Sequence, residues 1–110
     1  MDNIFNLPNF LNHQELFETI VSTKILKIER IISTGQITPK GIWYDQAQDE
    51  WVILLQGEAQ LSYEDGSIIN LKIGDYLLLK AHQKHRVEYT SIDPPCIWLA
   101  IHGQLTPSQN

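Results

Sequence analysis

Four histidines are spread over the 110 residues, and two of them lie three apart in GDYLLLKAHQKHRV, Gly74 to Val87. Imidazole binds divalent transition metals and exchanges protons near neutral pH, so His82 and His85 are the first candidates for chemistry. Residues three apart on a regular strand point to opposite faces. The two rings can therefore reach one centre only if Ala81 to Lys84 forms a turn or bulge. His102 ends the run CIWLAIH and shares a strand face with Trp98 and Ala100, so it reads as a packing or rim residue, and His13 reads as solvated. The single Cys96 cannot form an internal disulfide and, after Pro94-Pro95, reads as a small packing residue.

The elements that must position these groups are mostly short strands. From Trp43 onward, EWVILL, EAQLSY, SIINLKI, YLLL, HRVEYT and CIWLAIH are separated by Gln56-Gly57, Glu64-Asp65-Gly66, Gly74-Asp75 and Asp93-Pro94-Pro95. Strand-like runs punctuated in this way indicate an all-β sandwich or barrel, and Asp65-Gly66 is the clearest hairpin turn. KILKIERIIS, Lys24 to Ser33, is rich in β-branched residues and reads as a further strand, followed by the loop TGQITPKG. Ahead of it, Asn12 with Glu15 resembles a capping box, and Leu16, Phe17, Ile20 and Val21 form an apolar stripe. The expectation there is a short amphipathic helix over about residues 12–21.

A chain of this length holds one core, and 43% hydrophobic with 19% charged residues is an ordinary globular balance. The net charge is -5 and the basic residues are scattered, so nucleic acid is not an expected partner. No basic leader and no long apolar span is evident, so no membrane association and a cytoplasmic location are expected. WVILL, YLLL and IWLAI do not alternate, which implies cover on both faces. A chain with little spare material would supply that cover by self-association. A two-fold homodimer through sheet faces or an exchanged N-terminal strand is expected.

Glu50 followed by six residues and Gly57, and Gly74 with His85 farther on, resemble the ends of the two sequence motifs of the cupins. In particular, the chain resembles small stand-alone cupins with WYDQ ahead of EWVILLQGEA and an AHxxHRV segment in the second motif. The resemblance spans roughly Lys24 to His102 and implies one domain over residues 1–110. The implied fold is all-β, a cupin-type double-stranded β-helix, or jelly-roll, barrel. The family's His-x-His positions hold Tyr44 and Gln46, or Trp43 and Asp45, depending on the spacing; Lys80, His82 and Tyr89 stand where the second motif has proline, glycine and asparagine.

Imidazole with carboxylate suits a divalent transition metal such as iron, manganese, nickel or zinc. Glu50, His82 and His85 are the expected ligands, with Asp45 or Gln46 adding an oxygen at the place of the family's histidines. Trp43, Tyr44, Gln46 and Tyr89 are the expected wall of a pocket for a small polar molecule, since aromatic walls with few polar groups build such pockets. Three functions stay open: a metal-dependent protein acting on a small polar molecule, a metal-free small-molecule binding or sensing module without catalysis, and a structural subunit whose barrel is filled by side chains.

Overall fold

The computed structural model describes residues 1–9, 11 and 13–107. Among these it forms eight strands: β1 (Leu16–Ser22), β2 (Leu26–Ser33), β3 (Asp49–Gln56), β4 (Ala59–Tyr63), β5 (Ile68–Leu71), β6 (Tyr76–Leu79), β7 (His85–Thr90) and β8 (Cys96–Gly103). They pair antiparallel in two sheets, ordered β1-β2-β8-β3-β6 and β5-β4-β7. Val52, Leu54, Leu61, Leu71, Leu79, Trp98 and Ala100 fill the space between the sheets. Alternation assigns the faces of β3: Glu50, Val52 and Leu54 are buried inside, while Trp51, Ile53 and Leu55 lie half-buried on the other side.

The expected N-terminal helix is instead strand β1, which pairs with β2 from Leu16↔Ile32 to Ser22↔Lys27 across one bulge. An apolar stripe of two adjacent pairs suits either element. The β-branched run Thr19-Ile20-Val21 favours the strand, and the free edge of β2 supplies a hydrogen-bonding ladder that an isolated short helix lacks. Asn12, the expected cap, lies outside the described residues. No helix among the described residues is long and apolar enough to cross a membrane.

Cover for the outer face of the larger sheet begins with the N-terminal segment. The Arg30 guanidinium reaches up from β2 and donates to the carbonyls of Ile4, at 3.1 Å, and Asn6, at 2.5 Å. Its Nη2 also pairs with Glu18 of β1 at 2.6 Å.

The loop between β2 and β3 is fastened along β7. Tyr44 and His85 exchange both backbone hydrogen bonds, the amide of Thr38 donates to the carbonyl of Val87, and the amide of His82 donates to the carbonyl of Gln46. The Arg86 guanidinium donates to the carbonyls of Thr38, Pro39 and Ile42, and lies 5.7 Å from the centre of the Trp43 ring. This loop thereby becomes a wall of the barrel.

Candidate functional site

Between the sheets lies a cavity of about 100 Å³ that opens to solvent. Its polar lining is Glu15, Glu29, Tyr44, Gln46, Glu50, His85 and His102, set among apolar residues that include Phe17, Ile31, Val52, Leu79 and Trp98. Strand register explains the grouping. In the β2-β8-β3 ladder Ile31 faces Trp98, Glu29 faces Ala100 and Glu50 faces His102, so alternate residues of three strands share one inward face. Tyr44 and Phe17 line the cavity yet remain 40% and 56% exposed, which places them at its rim.

His102 sits between two carboxylates. Its Nε2 is 2.8 Å from Glu29 Oε1 and 3.9 Å from Glu50 Oε2, and because ionised carboxylates only accept, Nε2 carries the proton and donates to Glu29. Lys27 meets the other oxygen of Glu29 at 3.1 Å.

His85 is held in the opposite sense. Its Nδ1 donates to the carbonyl of Gln83 at 3.0 Å, which leaves Nε2 of the neutral ring as an acceptor, and the ring stacks on Tyr44 with centroids 5.5 Å apart. Neither His85 Nε2 nor the Glu50 carboxylate has a hydrogen-bond partner among the described residues, although both residues are buried. No enclosed side-chain nitrogen or oxygen there lacks a partner, so these unbonded atoms open onto the cavity.

Glu15 accepts from the Ser33 hydroxyl. Burial pushes its carboxyl above the usual range against the effect of that bond, and the charges of Glu29 and Glu50 push the same way. The Tyr44 phenol is also raised, first by burial and then by the charges of Glu15 and Glu50.

The structure brings together Glu50, His85, Tyr44 and Gln46 of the sequence-predicted site. It places His82 and Asp45 elsewhere: His82 Nδ1 is 2.7 Å from Asp45 Oδ1 in a surface pair, with the His82 side chain 70% exposed. The expected turn does form, and His82 takes a positive φ of 63° where the family motif has glycine; the turn carries the ring outward. Trp43 packs under Arg86, and Tyr89 is exposed on β7; neither lines the cavity.

Glu15, Glu29 and His102 escaped the sequence reading. Glu29 and His102 meet only through strand pairing, and Glu15 had been read as part of a helix cap. A readable signal did exist for His102, since the face it shares with Trp98 is the inward one.

Among the described residues no three His, Cys, Asp or Glu side chains are grouped to hold a metal ion. His85 Nε2 and Glu50 are two ready donors, and the proton on His102 Nε2 blocks it as a third, whereas catalytic centres typically use three protein ligands. As arranged, the donor set does not fit a transition metal.

The Cupin domain family model matches residues 32–102. A crystal structure of a Ralstonia eutropha protein, named as a candidate mannose-6-phosphate isomerase, is 40% identical over 94% of this chain and 97% of that one, with a TM-score of 0.88. A cupin superfamily protein of Desulfitobacterium hafniense matches at 19% identity over 88% and 84% of the two chains, with a TM-score of 0.73. An RmlC-like cupin family protein of Methanocaldococcus jannaschii with a double-stranded β-helix fold matches at 16% identity over 94% and 92%, with a TM-score of 0.68. No curated protein matches the chain. With the family model covering most of the strands and the cavity lying between sheets of this topology, the chain belongs to the cupins.

Proposed function

We propose that the barrel cavity is the binding site for a small polar molecule, held by Glu50 and His85 with Tyr44 and Gln46 at the wall. One observation carries this reading: the carboxylate of Glu50 and Nε2 of His85, both on buried residues, open onto the same cavity without a hydrogen-bond partner among the described residues. A folded chain ordinarily pairs the polar atoms it encloses, so polar atoms left open along a cavity are available to a ligand. A ligand bearing hydrogen-bond donors can pair with both.

The same two groups are competent for proton transfer. Neutral His85 can accept a proton at Nε2 while Gln83 holds the Nδ1–H, and Glu50 can accept from a bound donor. No step is assigned to a metal ion. The metal is tested by elemental analysis after reconstitution with iron, manganese, nickel or zinc, where about one ion per chain would restore it.

A thermal-shift and calorimetric screen of small polar compounds tests the cavity directly. At 100 times its dissociation constant a ligand adds about 2.7 kcal/mol of stability. Wild type is expected to show such hits, Glu50→Gln to lose them, and His82→Ala to keep them. Hits that survive Glu50→Gln and vanish in His82→Ala would move the site to the surface pair.

A further inference from the structure

We infer that the ligand of this cavity is a small organic cation, a primary ammonium group on a compact apolar body, rather than an anion. The inference rests on the cavity being the ligand site, as proposed above, and adds the chemical class.

The ionisable groups that open onto the cavity without a hydrogen-bond partner are acceptors. Both oxygens of Glu50 accept, and His85 Nε2 accepts because its Nδ1–H is committed to the Gln83 carbonyl. Glu15 contributes a third carboxylate, and its contact with Ser33 occupies one oxygen only. Among the donors of the wall, His102 Nε2–H is committed to Glu29, and the Gln46 amide is left as a neutral donor.

No lysine or arginine lines the cavity. Lys27 offsets Glu29 from the side, and Glu15 and Glu50 have no lysine or arginine partner on the wall; the nearest basic group to Glu50 is His102 Nε2, at 3.9 Å. A phosphate or carboxylate would enter against like charge and find no cationic donor on the wall, only a neutral one such as the Gln46 amide. A primary ammonium brings three N–H donors and one positive charge to this arrangement.

Size and lining define the rest of the molecule. A space of about 100 Å³ holds roughly 7–10 water-sized groups, at ~10–15 Å³ of such volume each. Its remaining wall of Val52, Leu61, Leu79, Val87 and Trp98 favours an apolar body behind the charged head. The Ralstonia relative's name concerns a sugar phosphate, whose phosphate group is the opposite of what this wall solicits.

The experiment is calorimetry and ¹⁵N-detected NMR with three matched series. The probes are benzylamine, cyclohexylamine and butylamine; their neutral alcohols; and benzoate, butyrate and mannose 6-phosphate. The expected result is that the amines bind, move the His85 Nε2 resonance and bind about tenfold or more weakly to Glu50→Gln, while the anions leave His85 unmoved. Glu50→Gln preserves the side-chain shape, and its circular dichroism and melting curve confirm that a lost signal is not lost folding. If the anions or the alcohols move His85 and the amines do not, the cavity remains the ligand site and the cation assignment is overturned. If amines bind but move only residues outside the cavity, both the cation assignment and the cavity reading fail.

Discussion

At Glu15, burial and the carboxylates of Glu29 and Glu50 outweigh the Ser33 hydroxyl and hold the carboxyl above its usual 4.5. The groups facing it across the cavity are Glu29 on β2, Glu50 on β3, His85 on β7, His102 on β8 and Tyr44 from the loop. Because its pKa is raised by folding, its ionised form opposes the fold. Stability therefore rises as pH falls through that raised value toward 4.5.

Asp49 and Glu88 act with the other sign. The amide of Ala81, followed by that of Leu105, lowers Asp49, and the Arg86 side chain lowers Glu88. Their stabilisation is fully present above the usual carboxylate values and is lost as pH drops through the lowered ones. Urea melts across mild to strong acid are thus expected to show stability first rising and then falling. Glu15→Gln is expected to remove the rise and keep the fall. At this scale Glu50 and His85 were legible because motif spacing pointed to them. The separation of His82 from His85 was not legible, since it depends on which way one turn carries a ring.

Among elements, the glycine that ends β3 shows why the Glu50-to-Gly57 spacing exists. Gly57 has φ +90°, and a Cβ there would stand 2.6 Å from Ser91 Oγ and 3.0 Å from the Cys96 Cα. The close approach lets β3 turn beside the start of β8 while Glu50, at its other end, faces the cavity. Gly57→Ala is expected to cost about 2 kcal/mol or more, from left-handed strain added to steric clash. Gly66, at φ +92° in the β4–β5 turn, has nothing within 4 Å of such an atom. Gly66→Ala is expected to cost about 1 kcal/mol from conformation alone. Equal costs in denaturant melts would mean that the tight contact at Gly57 relaxes freely.

Turn residues and apolar runs made the strands from β3 to β8 readable. The identity of β1 was not, because Leu16, Phe17, Ile20 and Val21 suit two elements and the deciding partner, β2, lies beyond a turn. Glu29 and His102 stayed hidden for the same reason: they are 73 residues apart and meet only in the sheet.

For the whole molecule, edge strand β1 leaves Phe17, Ile20 and Val21 exposed, and the outer face carrying Trp51, Ile53 and Leu55 is half-buried. An unpaired edge with apolar side chains is a template for pairing with a second copy. We propose a two-fold dimer through β1 and this face. Light scattering is expected to give twice 12.7 kDa, and Ile20→Lys to shift the mass toward one chain. A persistent single-chain mass at high concentration would mean that the N-terminal segment fastened by Arg30 covers the sheet sufficiently.

The most direct measurement is a histidine side-chain ¹H–¹⁵N spectrum recorded while a small polar ligand found in the screen is added. In the free protein His85 is expected to keep its Nδ1–H on the Gln83 carbonyl. On titration the His85 Nε2 signal is expected to move, with His102 following through Glu50, while His13 and His82 stay in place. Movement of His82 with a fixed His85 would contradict a ligand site inside the barrel.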